Sequence, residues 1–280
     1  FRDLALWCVG PGLTVLFLLG CLAAWRAGAT MIALIGALVV LGALAWLDVP
    51  AVRYALPALP AMAVLGGLGA ATLARSGVGK GVLAALLLLA LGWGQATASI
   101  YVTEHPRIAA SRWIWRNLPP PALITAETAW DDALPVTLVV GADHAMISAF
   151  EPGRYTPLNL QLTDGDDAAK ADRIVDFLSR ADLLAISSGR QWRVMPYMNG
   201  RFPMTARYYE ALFDGRLCYA EVKRFDKPFT VFGLFPLDDS AAQETWRVYD
   251  RPDVRLYRRQ ACFDPARVRA ILDGTGTQRH

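Results

Sequence analysis

The apolar run VLAALLLLALGWGQATASIY, from Val82 to Tyr101, decides the fold class because it contains no charged side chain. About 20 apolar residues in a helix are enough to cross the hydrocarbon core of a bilayer. Three similar stretches precede it, near residues 4–25, 27–47 and 54–74. The sequence therefore predicts a membrane region over residues 1–103 with four transmembrane helices.

The charged residues are distributed very unevenly along the chain. Of its 28 basic and 25 acidic residues, only eight lie in the first 104 positions: Arg2, Asp3, Arg26, Asp48, Arg53, Arg75, Lys80 and Glu104. This division predicts one half dissolved in lipid and the other in water. The net charge of +3, without a basic run, does not favour nucleic-acid binding.

Two features of the apolar half predict how its helices are shaped and packed. Gly10-Pro11-Gly12 predicts a kink in the first helix. In the third helix Ala63, Gly67 and Ala71 recur every four residues and predict a close helix–helix contact. Because Phe1 opens the sequence without a basic leader, we expect the C-terminal portion of a longer protein rather than a signal peptide.

The short loops predict the orientation in the membrane. The loop from Arg75 to Lys80 and the turn at Arg26 carry only positive charge, whereas the turn from Asp48 to Arg53 is balanced. The positive-inside rule places the first two in the cytoplasm. All residues beyond Tyr101 are then expected outside it.

Beyond residue 103 the pattern becomes that of a water-soluble domain. Strands alternate with helices, which predicts an α/β domain over residues 104–263, followed by a C-terminal helix and tail over 264–280. Within it, Phe229, Phe232 and Phe235 form an apolar run that favours a buried strand over insertion into the membrane surface.

The cysteines give one prediction and its alternative. Cys218 and Cys262 lie in the soluble half, next to two predicted strands, and can form a disulfide if those strands pair. Otherwise they are two buried thiols. With neither a C-x-x-C motif nor a Cys/His cluster, the sequence does not favour a structural zinc site.

An acidic cluster follows the first predicted strand of the soluble half. Glu127, Asp131 and Asp132 could bind a divalent cation or sugar hydroxyls, and Trp130 could stack on a sugar ring. No other cofactor is indicated. The alternative is a solvated loop whose aspartates cap a helix and whose tryptophan packs in the core.

Several motifs carry a resemblance to a known family. The segment Arg53-Tyr-Ala-Leu-Pro-Ala-Leu-Pro60 resembles the polyprenyl-phosphate-sugar-dependent glycosyltransferases of the GT-C fold, which include protein O-mannosyltransferases and lipid-A aminoarabinose transferases. The soluble half resembles the C-terminal domain of one bacterial branch of that group. The matching stretches there are Trp113 to Pro119, Glu127 to Pro135, Arg207 to Phe213 and Thr245 to Pro252.

The resemblance implies an enzyme of the bacterial inner membrane, a hexosyl or pentosyl transferase. It would move a sugar from a polyprenyl-phosphate carrier to a glycan, lipid or protein acceptor on the outer face. The family's general base is a carboxylate in its first outer loop, which lies upstream of Phe1, so no catalytic residue is assigned here. The alternative is a non-catalytic membrane protein whose outer domain binds a glycan or a partner subunit.

Arg53 and Tyr54 are the candidates for binding the lipid phosphate. A guanidinium matches phosphate oxygens with two parallel hydrogen bonds and stays charged. Arg53 could thus neutralise the leaving phosphate, and Tyr54 could donate a hydrogen bond to it. The alternative is that both residues only anchor the end of the helix in the membrane interface, which for Tyr54 is the favoured interpretation.

Overall fold

The computed structural model describes residues 2–25, 31–46, 52–127, 134–136, 139–140, 146–147, 154–198 and 200–275. The chain divides into two compact units. The first, here called the helical unit, comprises residues 1–102 and 228–246. The second, the α/β unit, comprises residues 103–227 and 247–280.

The described elements are nine α-helices and nine β-strands. The helices are α1 (Pro11–Ala24), α2 (Met31–Ala45), α3 (Leu59–Leu73), α4 (Gly77–Ser99), α5 (Pro106–Asn117), α6 (Ala168–Arg180), α7 (Pro203–Phe213), α8 (Glu244–Arg247) and α9 (Pro265–Asp273). The strands are β1 (Ala122–Ala126), β2 (Val139–Val140), β3 (Met146–Ile147), β4 (Tyr155–Asn159), β5 (Leu184–Ile186), β6 (Tyr219–Phe225), β7 (Phe229–Val231), β8 (Phe235–Leu237) and β9 (Val254–Arg259). A π-helical turn covers Leu4–Val9, and 3-10 helices cover Val52–Ala58 and Met195–Met198.

Two helices of the helical unit are long and apolar enough to cross a membrane. They run from Tyr54 to Leu73, which includes most of the preceding 3-10 helix, and from Gly77 to Ser99. The apolar helices Pro11–Ala24 and Met31–Ala43 are shorter than a full span. Among the described residues, length and composition therefore support two of the four predicted spans, and the chain also contains a region with β-sheet.

The predicted kink in the first apolar stretch is confirmed. Gly10 adopts φ 84° and ψ 152°, and it separates the turn Leu4–Val9 from α1. Pro11, which lacks a backbone N–H, occupies the first position of α1, where no donor is needed. A Cβ at position 10 would lie 2.7 Å from Trp93 Cδ1, so glycine also permits this close approach.

In the described part of the helical unit, α1 and α3 make a close contact through glycines. A Cβ added at Gly20 would lie 1.7 Å from the backbone oxygen of Leu65, and one at Gly69 would lie 2.2 Å from that of Leu16. The small residues predicted for this contact were wrong: Ala63, Gly67 and Ala71 are exposed. Ala63 and Gly67 each precede a buried residue, Leu65 or Gly69, by two positions, which is about 200° around an α-helix. The face of α3 that packs on α1 is therefore the one that carries Leu65 and Gly69.

The hairpin β7–β8 belongs to the helical unit, so the predicted continuous domain 104–263 is interrupted by residues 228–246. Phe229 is fully buried there among three tryptophan rings. Their centres lie 5.3 Å (Trp93), 5.8 Å (Trp246) and 6.1 Å (Trp7) from its own. The predicted burial thus holds for Phe229, and the burial of this aromatic cluster explains why the segment leaves the α/β unit.

The α/β unit is built on strands in the order β4-β1-β5-β9-β6. β1 pairs in parallel with β4, and a parallel bridge from Ile124 to Leu183 connects β1 to the residue before β5. β9 pairs antiparallel with β5 on one side and with β6 on the other. The α/β prediction is confirmed as a mixed sheet whose three parallel strands occupy one half.

Helices cover both faces of this sheet. Successive residues of β5 alternate between two cores, with Ala185 in one and Leu184 and Ile186 in the other. The first core is completed by Ile114 of α5, and the second by residues of α6, α7 and α9. Helix α9 is therefore part of the domain, since its Leu272 is fully buried in the second core, and the predicted boundary at residue 264 was wrong.

A buried lysine joins α6, α7 and the loop between β4 and α6. The ammonium of Lys170, which is 1% exposed, donates to the backbone oxygens of Leu162 (3.0 Å) and Asp164 (2.8 Å). It also donates to Asp166 Oδ1 at 2.7 Å and Thr205 Oγ1 at 2.8 Å. A buried charge is tolerated when it is paired and hydrogen-bonded, as it is here.

Cys218 and Cys262 form a disulfide in the structure, with their Cα atoms 5.7 Å apart. Cys218 immediately precedes β6, and Cys262 follows β9 by three residues. Because β6 and β9 are antiparallel neighbours with Tyr219 opposite Arg259, strand pairing itself brings the two cysteines together. The bridge closes the end of the sheet.

We expect Lys170→Met to destabilise the protein by about 3–5 kcal/mol, because it leaves Asp166 and buried oxygens without their cation. Lys223→Met is the matched control, since Lys223 is exposed on β6, and its effect should stay within about 0.5 kcal/mol. Thermal and denaturant unfolding of the detergent-purified protein measure both. Equal stability of the two variants would contradict a structural role for Lys170.

Replacing Cys218 and Cys262 with serine should lower the free energy of unfolding by about 4 kcal/mol, because the bridge closes a long loop in the unfolded chain. Alkylation without reductant, followed by mass spectrometry, should modify Cys8 and Cys21 only. Recovery of alkylated Cys218 and Cys262 from protein expressed through an oxidising compartment would show that the bridge is not formed.

Candidate functional site

The two residues predicted to bind a lipid phosphate lie at the start of a membrane-length helix. Tyr54 is the first residue of the span Tyr54–Leu73, and its side chain is 44% exposed. The backbone of Arg53 belongs to the 3-10 helix Val52–Ala58, while its side chain lies outside the described residues. The position of Tyr54 is typical of an interfacial aromatic residue.

The structure describes only Glu127 of the predicted acidic cluster; Trp130, Asp131 and Asp132 lie outside the described residues. Glu127 follows β1 directly, is 1% exposed, and accepts a hydrogen bond from the Tyr209 hydroxyl of α7. The described part of the chain holds no group of three or more His, Cys, Asp or Glu residues that could bind a metal ion. Glu127 therefore serves here as an internal contact between β1 and α7, and its binding of a cation or sugar stays a prediction.

Glu127 also marks the edge of the sheet where a ligand is most expected. It follows the carboxyl end of β1, and Ser187 follows that of the neighbouring parallel strand β5. In open α/β sheets ligands bind in the crevice at this edge. From α5, Arg107 Nε donates to the backbone oxygen of Ser187 at 3.2 Å, which fixes the start of the loop after β5.

The loop over residues 187–193 reads Ser-Ser-Gly-Arg-Gln-Trp-Arg. Ser188 is buried, and its hydroxyl accepts a hydrogen bond from the backbone N–H of Arg190 at 3.2 Å. A Cβ at Gly189 would lie 2.8 Å from Arg193 Cδ, so a larger residue there would displace the Arg193 side chain. The loop is thus folded tightly enough to present Trp192 and Arg193 in fixed positions.

Five arginines and two aspartates form a charge cluster near this loop, called the arginine cluster below. Its members are Arg193, Arg224, Arg247, Arg251, Arg255, Asp226 and Asp253. Asp253, which is 2% exposed, accepts hydrogen bonds from Arg224 Nε at 2.9 Å and Arg255 Nη2 at 2.7 Å. Arg247 Nη2 donates to Asp226 Oδ1 at 2.9 Å.

The arginine cluster keeps a net positive charge, since its arginines outnumber its aspartates by five to two. Burial lowers the pKa of Arg193, and the nearby charge of Arg247 lowers it further. Burial lowers the pKa of Arg251 to about 10, although the charge of Asp226 opposes this shift. Cations held at such desolvated positions favour the arrival of an anion, which would offset the repulsion between them.

Trp192 gives the arginine cluster an apolar surface. The guanidinium carbon of Arg255 lies 4.6 Å from the Trp192 ring centre, and that of Arg193 lies 5.0 Å from it. An indole stabilises a nearby cation and can also stack on a flat or ring-shaped ligand. The arrangement is chemically suited to a carboxylate or phosphate group attached to a ring.

The sequence analysis missed the arginine cluster because its members are dispersed. Arg193 follows β5, Arg224 lies in β6 and Arg255 lies in β9, so the pairing of these three strands assembles the cluster.

His105 connects the start of α5 to the segment that contains Tyr249. Its Nδ1 accepts a hydrogen bond from the backbone N–H of Arg107 at 3.2 Å, so it caps the helix. Its Nε2 lies 2.7 Å from the backbone oxygen of Tyr249, and therefore carries the proton in the neutral ring. Burial lowers the pKa of His105 from its usual 6.5, although the contact with Tyr249 opposes the shift.

No protein-family model, curated protein or solved structure matches this chain.

The lowered pKa of His105 predicts a pH dependence of stability. A histidine whose folded pKa lies below its unfolded value of 6.5 contributes stability above that pH, and this contribution is lost as the pH falls through and below 6.5. His105→Asn retains a capping side chain but does not titrate. The melting temperature between pH 7.5 and 5 should fall more steeply in the parent protein than in the variant. Parallel curves would exclude His105 as the source.

Proposed function

We propose that the chain is part of a polyprenyl-phosphate-sugar-dependent glycosyltransferase of the bacterial inner membrane. The observation that carries the proposal is the place of Arg53 and Tyr54, which stand at the opening of the membrane-length helix Tyr54–Leu73. Lipid head groups lie at such helix ends, and a guanidinium is the side chain best suited to phosphate. The motif around these residues resembles that of the family.

The four-span topology belongs to the proposal and has support from packing. Helix α1 approaches α3 at Gly20, and it approaches α4 at Gly12, where a Cβ would lie 2.4 Å from the backbone oxygen of Leu86. A short apolar helix packed so closely along two membrane-length helices would share their apolar surroundings. Helix α2, which shares a core with α1 and α3, completes the four.

The extracytoplasmic placement of the α/β unit is supported by two observations. The disulfide between Cys218 and Cys262 is of a kind that persists mainly in oxidising compartments, which in bacteria lie outside the inner membrane. Arg75, between α3 and α4, and Lys80, in the first turn of α4, are both exposed, and positively charged connections remain in the cytoplasm. Helix α4 would then end on the outer side.

In this mechanism the acceptor attacks the sugar carbon bonded to the carrier phosphate, and the polyprenyl phosphate departs. The guanidinium of Arg53 would neutralise the negative charge that develops on the leaving phosphate, a form of electrostatic stabilisation. The hydroxyl of Tyr54 would donate a further hydrogen bond. The resemblance assigns proton removal from the acceptor to a carboxylate in a loop upstream of this sequence.

The arginine cluster favours a second candidate function, a non-catalytic membrane protein whose α/β unit binds an anionic glycan. Its net positive charge beside Trp192 would recognise a carboxylated or phosphorylated sugar. Within the transferase the same cluster would hold an anionic group of the acceptor. The two functions therefore differ in whether sugar is transferred, rather than in whether an anionic sugar binds.

The rate of sugar transfer by the full-length gene product should depend on the paired N–H donors of the Arg53 guanidinium as well as on its charge. We expect Arg53→Ala to slow transfer from a labelled polyprenyl-phosphate sugar by about 30- to 150-fold, which corresponds to about 2–3 kcal/mol for a lost charge-assisted bond. Arg53→Lys should fall between this variant and the parent. Arg75→Ala, in the loop between α3 and α4, is the matched control and should leave the rate unchanged.

If both Arg53 variants transfer sugar at the parent rate, at equal amounts of membrane-inserted protein, Arg53 does not bind the leaving phosphate and only anchors the helix end in the interface. If the full-length protein transfers no sugar but binds an acidic oligosaccharide, and Arg193→Ala weakens that binding, the glycan-binding function replaces the transferase.

A further inference from the structure

The hairpin β7–β8 has a tight turn at its tip. Val231 pairs with Phe235, and the backbone N–H of Leu234 donates to the oxygen of Val231 at 3.1 Å. The two central residues, Phe232 and Gly233, have positive φ angles of 54° and 70°. Such a pair is typical of a type I′ turn, which glycine tolerates and phenylalanine adopts at a cost. The strained phenylalanine indicates that its side chain is needed where the turn places it.

The tip lies against the side of α4, within the helical unit. A Cβ at Gly92 would lie 3.5 Å from Val231 Cγ1 and 3.6 Å from Phe232 Cε2. Gly92 precedes the last residue of α4, Ser99, by seven positions, which is about 10 Å along the axis at 1.5 Å per residue. The hairpin therefore reaches along the last two turns of a membrane-length helix rather than stopping at its end.

The backbone of the turn has a partner on the same helix. The N–H of Phe232 donates to Oε1 of Gln95 at 2.6 Å. In a lipid environment every backbone polar group needs an internal partner, because no water replaces it. Gln95 thus satisfies a non-helical backbone N–H from a position four residues before the end of α4.

The outer side of the tip is apolar and exposed. Phe232, Leu234 and Phe235 are 57%, 74% and 63% exposed, and no charged residue lies between Pro228 and Leu237. On α4 the exposed leucines at positions 87, 88 and 91 are likewise uncovered. The hairpin thus extends the apolar surface of a helix that would itself face lipid.

We infer that the tip of the β7–β8 hairpin inserts into the bilayer leaflet around the C-terminal end of α4, with Phe232, Leu234 and Phe235 contacting acyl chains. The inference rests on the membrane location in the proposed function but not on glycosyl transfer. The occupant is lipid because the exposed side chains continue the surface of α4 at the same depth and the turn N–H is satisfied from within. The buried Phe229 fixes the base of the hairpin, so the anchor would be rigid.

Spin labels in the full-length protein, reconstituted in phosphatidylethanolamine and phosphatidylglycerol vesicles, test this inference. Leu234→Cys and Phe235→Cys are labelled in a background with Cys8→Ser and Cys21→Ser, while the disulfide remains closed. Leu88→Cys on α4 is the lipid control, and Ser240→Cys, exposed in the same segment, is the water control. Oxygen partitions into lipid, and a water-soluble nickel complex does not.

The labels at positions 234 and 235 should resemble that at 88, with an oxygen-to-nickel accessibility ratio at least 5-fold above the ratio at 240, about the contrast expected between lipid and water. Nickel accessibility equal to that at 240 would overturn the inference. Protection from both reagents would also overturn it, since a second copy or another protein would then cover the tip.

Failure of the inference and of the proposed function are distinguishable in the same preparation. If the label at 88 also reports water, the membrane location is wrong, and both the hairpin inference and the proposed function are contradicted. If labels at 88, 234 and 235 report lipid but the protein transfers no sugar, the hairpin inference stands and the transferase proposal falls. Gln95→Leu is a second variant, and we expect it to raise nickel accessibility at 234, because the turn N–H would then need water as its partner.

Discussion

The pairing of β9 with both β5 and β6 is the interaction on which the α/β unit depends. Residues of β9 enter both cores, since Leu256 packs under α5 and Tyr257 packs under the opposite helices. The same pairing brings Cys218 to Cys262, and it carries Arg255 to Trp192. A sheet fixes the register of every side chain on a strand at once, so one set of backbone hydrogen bonds positions the core, the bridge and the arginine cluster.

In the helical unit, the packing of α1 on α3 depends on glycines, which have no side chain. Gly20 and Gly69 let α1 and α3 approach at backbone distance. Each of these two glycines replaces side-chain contact by closer backbone contact between the helices. The hairpin is held by side chains instead: Phe229 packs in an aromatic cluster, and Gln95 accepts a hydrogen bond from the turn backbone.

The candidate site divides into a part that is visible in the sequence and a part that is not. Arg53 and Tyr54 stand together in the chain, so their place at the start of a long apolar helix can be read directly. The acidic cluster was also visible, but the sequence did not show that the Glu127 carboxylate is buried and accepts a hydrogen bond from Tyr209, on a helix about 80 residues later. The arginine cluster was invisible, because its members lie in or near three strands and at the end of α8, and no local pattern specifies the order of those strands.

The sequence by itself determined the apolar helices, the alternation of strands and helices, and the kink at Gly10, because each follows from composition or from the conformational limits of a few neighbouring residues. Only the tertiary structure decided which face of α3 is packed, that residues 228–246 join the helical unit, and that α9 completes the core of the other. It also decided that Lys170 is buried. These outcomes depend on side chains distant in sequence competing for the same buried volume, and burial is a property of the whole packed unit rather than of any local segment.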